Sequence, residues 1–347
     1  MKIGIITFHW ATNYGAVLQA YALQSYLSEQ GHDVEIINYR PLRNIILQRM
    51  TWIKNLSFGS FAKERKLKRF RRKNLITSKK VYSSNKALIK ANNVYDVIIC
   101  GSDQVWNMSF IQYAEKNKLT FSYYLDFLND KTKKVAYAAS FGTNEITARF
   151  KSKIKECLSN FASISVRENS AKKMLCDIGI ESKIVVDPTL LLQANNYNFL
   201  PNNAKKEHDL FVYRLHKNQC LFDKVESYLT STINSVKTSK NMSIEHWLQS
   251  IKNSNFVLTN SFHGIVFSMI FKVPFLSVLV EGSDMNDRIL TLLSSVGLQE
   301  RCINEFDKDI IDKIMKTPIL WEDVLDKLMK LKEEAKDFLS SAIVDRK

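Results

Sequence analysis

The segment TNSFHG, residues 259–264, contains a histidine. It lies between a short apolar run and a helix-like segment. We expect the backbone N–H groups from Ser261 to Gly264 to open that helix, whose positive dipole end favours anions. His263 would then lie beside an anion site and could carry a proton near neutral pH. A structural histidine that caps or packs the helix is the alternative.

The segment TNYGA, residues 12–16, also follows an apolar run and opens a helix-like segment. Gly15 would let a ligand approach the backbone N–H groups, so Asn13 and Gly15 are candidates for binding an anion. Asn13 as an ordinary helix cap is the alternative. The loop lacks the spacing GxGxxG, so nothing in it favours a dinucleotide cofactor.

The segment CGSDQVWN, residues 100–107, ends another apolar run with polar side chains. Asp103 could act as a general base or orient a substrate hydroxyl. Gln104 offers hydrogen-bonding groups and Trp106 a flat apolar surface, a pairing that suits a sugar. An aspartate that only caps a helix is the alternative.

The segment ISVRE, residues 164–168, places Arg167 at the end of a predicted strand. A guanidinium there can bind phosphate or carboxylate through two parallel hydrogen bonds. The alternative is a structural salt bridge, either with Glu168 or with another element.

An alternation of strands and helices must position these segments. Apolar runs predict strands over 2–8, 34–39, 96–103, 134–142, 164–168, 182–192, 209–216, 256–260 and 273–280. Helical spacing of apolar residues predicts helices within 11–33, 169–179, 243–254, 262–271, 286–298 and 320–347. The alternation indicates an α/β fold with open sheets covered by helices, in which ligands bind at the carboxyl ends of the strands.

The length of 347 residues predicts two domains, because single cores stop growing below that size. We predict an N-terminal α/β domain over 1–195, with a basic insertion near 43–80, and a C-terminal α/β domain over 205–320. The polar segment 191–209 is typical of a linker. The last predicted element is a helix over 321–347.

A formal net charge of +15 predicts a negatively charged partner. In the run KERKLKRFRRK, residues 63–73, eight of eleven residues are Lys or Arg. The run is either a solvated helix face or a surface that docks on anionic lipid or on a diphosphate. Nucleic acid is a third reading, but no recognition motif accompanies the charge, so we expect no nucleic-acid partner.

Several function classes are disfavoured by what the sequence lacks. The five cysteines form no CxxC pair, the six histidines show neither HxH nor HExxH spacing, and GxSxG is absent. We therefore expect no metal site and no hydrolase triad. Scattered cysteines, an N-terminus typical of a strand and the lack of a long apolar stretch predict a cytoplasmic protein.

The motifs also occur in a recognisable order: NYGAVLQAYALQ, GSDQVWN, YAASFG, SVRE, VDPTLLL, TNSFHGIVFSMIFKVPF and NDRILTLLSSVGL. Together, over roughly residues 1–300, they resemble the polysaccharide pyruvyl transferase family. The resemblance implies two facing Rossmann-like α/β domains, similar to the B-type glycosyltransferase fold, with a cleft between them. It also implies that the last helix packs back on the N-terminal domain.

The resemblance further implies transfer of the enolpyruvyl unit of phosphoenolpyruvate to two hydroxyls of a sugar, giving a cyclic ketal. Phosphoenolpyruvate is then a donor substrate, and no cofactor or metal is required. By this resemblance Arg167 and His263 match donor-binding residues, and our hypothesis makes His263 the general acid or base. Asp103 completes the catalytic set.

Two binding sets follow from the motifs and the resemblance. The donor set is Asn13, Gly15, Arg167, Ser261, His263, Gly264 and Arg288, and the acceptor set is Tyr14, Ser102, Asp103, Gln104 and Trp106. Some family members carry a lysine where this chain has Ser283, and Arg288 is the nearest downstream cation that could substitute.

The expected acceptor is a sugar of a capsule or exopolysaccharide unit built on a polyprenyl diphosphate. The basic run 63–73 would suit a peripheral enzyme at the inner face of the cytoplasmic membrane. One rival is a glycosyltransferase that uses a nucleotide sugar, for which Glu281 is the only acidic candidate in the second domain. Another is a binding protein without catalysis.

Overall fold

The computed structural model describes residues 1–41, 58–92, 94–115, 118–129, 131–199, 206–217 and 219–344, with no side-chain detail for 58–60. The described chain divides into two compact units. Unit 1 comprises residues 1–191 and 331–347, and unit 2 comprises residues 192–330. Most of the predicted basic insertion before residue 58, and residues 200–205 of the predicted linker, lie outside the described residues.

Unit 1 is built on a six-stranded parallel sheet in the order β2-β1-β3-β4-β5-β6. Its strands are β1 Lys2–Ile6, β2 Asp33–Ile36, β3 Val97–Cys100, β4 Lys133–Ala139, β5 Ser163–Val166 and β6 Lys183–Ile184. The apolar runs behind these predictions form strands because a parallel sheet is covered on both faces.

The helices of unit 1 lie between these strands. They are α1 Tyr14–Glu29, α2 Phe58–Asn74, α3 Asn85–Leu88, α4 Met108–Tyr113, α5 Ala148–Leu158 and α6 Asn169–Cys176. Single 3-10 turns cover Ile89–Ala91, Ser122–Tyr124 and Pro188–Leu190.

The strand order of unit 1 reverses at β1. The chain moves from β1 to β2 on one side and then returns to β3 on the other side, where Ile6 pairs with Cys100. Ligands of open α/β sheets bind at such a switch point, outside the carboxyl ends of the strands. The loops after β1 and β3, which carry TNYGA and CGSDQVWN, therefore flank the expected binding crevice of this unit.

Unit 2 has a five-stranded parallel sheet in the order β11-β10-β9-β7-β8. Its strands are β7 His208–Tyr213, β8 Val236–Thr238, β9 Ser254–Thr259, β10 Phe275–Val278 and β11 Cys302–Ile303. Its helices are α7 Cys220–Thr232, α8 Ile244–Lys252, α9 Phe262–Ile270, α10 Asp287–Val296 and α11 Lys308–Lys316. Further 3-10 turns cover Ala194–Tyr197, Asp284–Asn286 and Gln299–Arg301.

The α/β fold class is confirmed, while several predicted bounds change. The predicted strand 182–192 shrinks to Lys183–Ile184, because Asp187 and Pro188 start a 3-10 turn instead. The structure also contains elements that were not predicted, namely α3, α4, α5, α7, β8, β11 and α11.

The last helix, α12 Trp321–Ile343, runs through the division between the units. Its final turns belong to unit 1, where the ring of Phe338 lies 6.3 Å from that of buried Tyr137. Nζ of Lys133 donates to the carbonyl oxygen of Ile343 at 3.2 Å. Within the described part of the chain, no helix combines the length and apolar composition that crossing a bilayer requires.

Candidate active site

Arg167 follows β5 and forms a buried ion pair with Asp187. Its Nη1 donates to Asp187 Oδ2 at 2.8 Å, and both side chains are at most 1% exposed. Asp187 Oδ2 also accepts from Ser102 Oγ at 2.8 Å, while Oδ1 accepts from the N–H and hydroxyl of Thr189 at 3.0 and 2.7 Å. The strand ends after β3, β5 and β6 are thereby tied together.

The surroundings of Arg167 are rich in negative charge. Burial alone would lower the pKa of Arg167, but Asp187, Glu168 and Asp103 outweigh it and raise that pKa. Arg167 thus lies among three carboxylates of its own unit, a setting that does not favour an anionic donor, and its expected donor role stays a prediction. The structure has the inter-element salt bridge that the sequence left open as an alternative. The Ser102 hydroxyl is hydrogen-bonded within the same network.

Asp103 lies at the switch point in a conformation that L-residues rarely adopt. Its φ is +82°, and its side chain is 16% exposed. Oδ1 accepts from the N–H of Gln104 at 2.9 Å and lies 4.0 Å from Nη2 of Arg167. Backbone strain of this kind persists where surrounding structure enforces it and often marks functional positions. Asp103 is thus a partly exposed carboxylate held in place by buried neighbours.

Gln104 and Trp106 differ in what they can offer a ligand. Gln104 is partly exposed and packs on Gly142, where an added Cβ would meet Gln104 Cδ at 2.6 Å. Trp106 is 0% exposed, its Nε1 donates to the carbonyl of Tyr123, and its ring stacks on Tyr124. The expectation that Trp106 presents a face to a sugar is therefore wrong, because its ring is a core side chain.

The TNYGA turn is closed by its own asparagine. Asn13 Oδ1 accepts from the N–H groups of Gly15 and Ala16 at 2.9 and 3.3 Å. Asn13 is thus a helix cap, the alternative that the sequence left open, and the donor role expected of Asn13 and Gly15 stays a prediction. Tyr14 is 2% exposed, and Nζ of Lys63 on α2 lies 4.3 Å from its ring centroid.

In unit 2, the TNSFHG turn has the predicted strand-to-helix geometry. Helix α9 begins at Phe262, with Ser261 as its N-cap accepting from the N–H of Gly264 at 3.4 Å. A Cβ on Gly264 would meet Thr259 Oγ1 at 2.5 Å, so only glycine allows this close approach of helix to strand.

Asn260 fixes the neighbouring loop after β7. Its Oδ1 accepts from the N–H groups of Leu215 and His216 at 2.8 and 3.2 Å, and its Nδ2 donates to the carbonyl of His216 at 2.8 Å. His216 is thereby held at the same edge of the sheet as the start of α9. Neither residue was identified as a candidate from the sequence, although His216 follows the apolar run of β7 as His263 follows that of β9.

Basic side chains gather at this edge of unit 2. His263 is 7% exposed and packs edge-on against Phe262, with ring centroids 5.3 Å apart. The guanidinium of Arg288 lies 5.8 Å from the Phe262 ring centroid. Burial lowers the pKa of His216, and the charge of Arg288 lowers it further. Arg288 therefore contributes positive potential beside the two histidines.

Ser283 and Glu281 lie on the loop after β10. Ser283 Oγ accepts from the N–H of Met285 at 3.3 Å and caps the 3-10 turn before α10. Glu281 Oε1 accepts from the N–H of Leu221 at 2.7 Å, so this carboxylate anchors the first turn of α7. Across the described residues, no three His, Cys, Asp or Glu side chains come together as a metal site.

Comparison with known proteins assigns the chain to a family. The family described as "Polysaccharide pyruvyl transferase" matches residues 13–282. The chain belongs to the polysaccharide pyruvyl transferase family. A member of this family is a transferase, and the matched range contains every candidate site residue except Arg288. No curated protein matches the sequence.

Solved structures similar to this pyruvyl transferase family member support its fold. HepE from Anabaena, in complex with UDP and glucose, is 10% identical with a TM-score of 0.54, covering 98% of this chain and 100% of that chain. S. aureus MnaA with UDP is 10% identical with a TM-score of 0.53, covering 98% and 96%. The UDP-GlcNAc 2-epimerase from Methanocaldococcus jannaschii is 12% identical with a TM-score of 0.52, covering 98% and 100%. The fold is therefore similar to that of the UDP-GlcNAc 2-epimerase and of the UDP-bound HepE and MnaA structures.

Proposed function

We propose that this family member transfers the enolpyruvyl unit of phosphoenolpyruvate onto two hydroxyls of a sugar in a cell-surface polysaccharide or lipid-linked repeat unit. The observation that carries the proposal is the basic edge of unit 2, where His263 stands at the start of α9 and where burial and the nearby charge of Arg288 lower the pKa of His216. A donor with a phosphate and a carboxylate requires such a positive setting.

The reaction has three steps. A general acid protonates C3 of phosphoenolpyruvate, and the first sugar hydroxyl attacks the oxocarbenium-like C2. The C2–O bond to phosphate then breaks, and the second hydroxyl attacks the same carbon to close the ketal. One of the two hydroxyl protons restores the general acid that protonated C3, and the other leaves with phosphate.

Unit 2 provides the donor residues in this proposal. The first turn of α9 from Ser261 to Gly264 and the guanidinium of Arg288 bind the anionic groups, so Arg288 substitutes for the lysine that some members carry at the position of Ser283. His263 is the general acid because its ring is fixed at the helix start by packing on Phe262. Arg167 becomes a positioning residue, since its contacts are with Asp187 and Asp103.

Unit 1 provides the acceptor residues. Asp103 is the proposed general base for a sugar hydroxyl, and Gln104 beside it offers an amide for a second hydroxyl. Both are partly exposed at the switch point of the sheet, whereas Ser102 and Trp106 are buried. The proposed acceptor surface therefore contains fewer residues than the acceptor set predicted from the sequence.

The basic helix α2 is proposed to hold the enzyme at an anionic membrane surface. Its exposed cations are Arg65, Lys66, Lys68, Arg69, Arg72 and Lys73, while Leu67 and Phe70 face the core. Binding to anionic liposomes should fall as salt rises, because exposed charges are screened. Charge reversal of the six exposed residues should abolish it, and unchanged liposome binding would remove the membrane role.

The test of the donor uses His263→Ala, with His246→Ala as the control. Replacing a general acid should lower turnover with phosphoenolpyruvate by about 10²- to 10⁴-fold, with a smaller change in donor affinity. His246 is an exposed histidine on α8, so its replacement should leave turnover unchanged. Full ketal formation by the His263→Ala protein would overturn the assignment.

The nucleotide-sugar alternative makes a different prediction for ligand binding. Its only acidic candidate, Glu281, already accepts the N–H of Leu221, which disfavours a second role on a ribose. Melting temperature should rise with phosphoenolpyruvate and not with UDP- or GDP-sugars. Stabilisation by a nucleotide sugar alone would overturn the proposed function in favour of the alternative.

A further inference from the structure

A second basic cluster lies in unit 1, apart from the Arg167 network. It combines His9 of the loop after β1, Arg40 of the segment after β2 and Arg71 of α2. These three residues come from separate parts of the chain and meet beside β1 and β2, at the carboxyl edge of the sheet. Neither the proposed donor residues nor Asp103 belongs to this cluster.

Asn38 connects His9 to Arg40. Its Oδ1 accepts from Arg40 Nε at 2.8 Å and lies 3.3 Å from His9 Nε2, while His9 Nδ1 lies 3.2 Å from the carbonyl oxygen of Thr7. The imidazole is completely buried, so it lies on the inner side of the cluster.

Arg71 is held on the inner face of α2. Its Nη1 donates to the carbonyl oxygens of Trp10 and Ala11 at 3.3 and 3.2 Å, and its Nη2 pairs with Glu64. The other oxygen of Glu64 accepts from the Thr12 hydroxyl at 2.7 Å. Helix α2 is thereby locked onto the loop after β1 by polar contacts that leave Arg71 rigid.

The charges in this cluster do not balance. Burial lowers the pKa of His9 to about 4, and the charges of Arg40 and Arg71 act in the same direction. The pKa of Arg40 is also lowered, by burial and by Arg71, and only Glu64 opposes this. Two arginines therefore share one carboxylate next to a neutral histidine, and their mutual repulsion costs stability unless another negative group is bound.

Arg40 retains hydrogen-bonding capacity for such a group. Among the residues that the structure describes, Nε bonds to Asn38 while the two terminal nitrogens make no hydrogen bond. A guanidinium fork of this kind matches the oxygens of a phosphoryl group. The cluster also borders the switch point where unit 1 is expected to bind its ligand.

We propose that Arg40 and Arg71, above the buried His9, form a binding site for a diphosphate group. The inference rests on the proposed function, in which unit 1 receives a sugar acceptor that can be carried on a diphosphate. A diphosphate supplies the two or more negative charges that the cluster lacks, and its oxygens can bond to both guanidinium groups. The exposed cations of α2 continue the positive surface outward from Arg71.

The test measures binding of inorganic pyrophosphate to the full-length protein by isothermal titration calorimetry. Arg40→Gln should weaken binding by about tenfold or more, because it removes charge-assisted hydrogen bonds. Arg149→Gln removes the same charge from an exposed position on α5 and should leave the affinity within about twofold of wild type. A melting curve of each variant establishes that it is folded.

Three results would overturn the site. Arg40→Gln could bind pyrophosphate as well as wild type does, or Arg149→Gln could weaken binding as strongly, which would indicate general charge attraction. Arg288→Gln in unit 2 could abolish binding while Arg40→Gln leaves it intact.

Phosphoenolpyruvate is titrated into the same Arg40→Gln protein, which should bind it normally. Absence of phosphoenolpyruvate binding in wild type would count against the proposed function and leave the pyrophosphate result standing.

Two organic diphosphates then distinguish the source of the group. Farnesyl diphosphate and UDP each compete with pyrophosphate if the cluster reads the shared diphosphate. Tighter competition by farnesyl diphosphate identifies a lipid carrier, and tighter competition by UDP identifies a nucleotide. If neither competes, the cluster does not accept a substituted diphosphate and the proposal fails.

Discussion

Arg167 and His263 both follow a strand of a parallel sheet, yet their surroundings carry opposite charge. Arg167 is surrounded by Asp187, Glu168 and Asp103, which raise its pKa. Beside His263, the neighbouring His216 has its pKa lowered by burial and by Arg288. A charged residue at a strand end is thus a weak guide to its role, because the neighbouring charges decide whether it binds a ligand or stabilises the fold.

The two regions also differ in what builds them. The Arg167 region is a network of buried side chains that satisfy one another through Asp187. The His263 region is built mainly from backbone, with a helix start that requires Gly264 and a loop fixed by Asn260. The first arrangement favours rigidity, and the second leaves an anion-binding helix terminus at the strand end.

The largest expected effect that tests this contrast is a change in the free energy of unfolding. Arg167→Met should reduce the free energy of unfolding by about 3–5 kcal/mol, because it leaves a buried carboxylate without its cation. Affinity of the folded fraction for phosphoenolpyruvate should be unchanged. Urea denaturation and calorimetry measure the two quantities.

The exposed pair of Lys153 and Glu156 provides the control. Lys153→Met should cost less than about 1 kcal/mol, since solvent-exposed ion pairs contribute little. An Arg167→Met protein of normal stability that no longer bound phosphoenolpyruvate would reverse the contrast and return Arg167 to the donor site.

An intermediate effect is expected in unit 2. Gly264→Ala should cost about 1–3 kcal/mol through overpacking against Thr259. Thr259 Oγ1 cannot rotate away freely, because it donates to the Tyr213 carbonyl and accepts from the N–H of Ser261. Donor affinity should fall with stability, as the start of α9 is displaced.

Thermal denaturation with and without phosphoenolpyruvate measures both effects of Gly264→Ala. A second substitution, Thr259→Ala, removes the clashing atom, so the double variant should be about as stable as Thr259→Ala alone. Full stability and affinity in the single variant would mean that the helix start tolerates a side chain, and the backbone account of this region would be wrong.

The smallest expected effect is the uptake of a fraction of one proton when the donor binds. His216 has a lowered pKa, so in the free protein it stays neutral to lower pH than an ordinary histidine. A bound dianion opposes Arg288 and raises that pKa, so donor binding near pH 6 should take up a fraction of a proton at His216. Calorimetry in two buffers of different ionisation enthalpy measures the uptake.

The control for the proton measurement is His216→Gln, which should lose the uptake while His246→Gln keeps it. Comparison with these variants removes the contribution of the donor's own phosphate. Equal uptake by wild type and His216→Gln would show that no anion binds near His216, and the charge contrast between the two regions would lose its functional meaning.

The fold was accessible from the sequence because parallel strands leave continuous apolar runs. Residues 2–6 and 97–100 are apolar enough to indicate strands buried on both faces, and the structure has β1 and β3 there. Strand β8 escaped prediction because Val236–Thr238 is too short for a periodic pattern and none of its three residues is buried. Helix α7 has apolar residues at helical spacing, and this signal could have been used.

The site was less accessible, because a pattern locates a residue without revealing its neighbours. Asp187 was missed as the partner of Arg167, although VDPT places an acid at a strand end as GSDQ does. Trp106 was assigned to a sugar because an aromatic near polar residues suggests stacking, whereas the core needed its ring. Exposure and charge balance depend on contacts distant in sequence, and those require the structure.

The order of synthesis gives the path of α12 a further consequence. Unit 1 is interrupted by the whole of unit 2, and its final segment begins only at residue 331. Phe338 packs near Tyr137, so a nascent chain that has produced residues 1–191 still lacks part of the cover of its first core. Domains generally fold as units during synthesis, starting from the N-terminus. This chain departs from that order in one respect: all six strands of unit 1 are synthesised before unit 2, but the cover of the first core is finished only after unit 2 has been made.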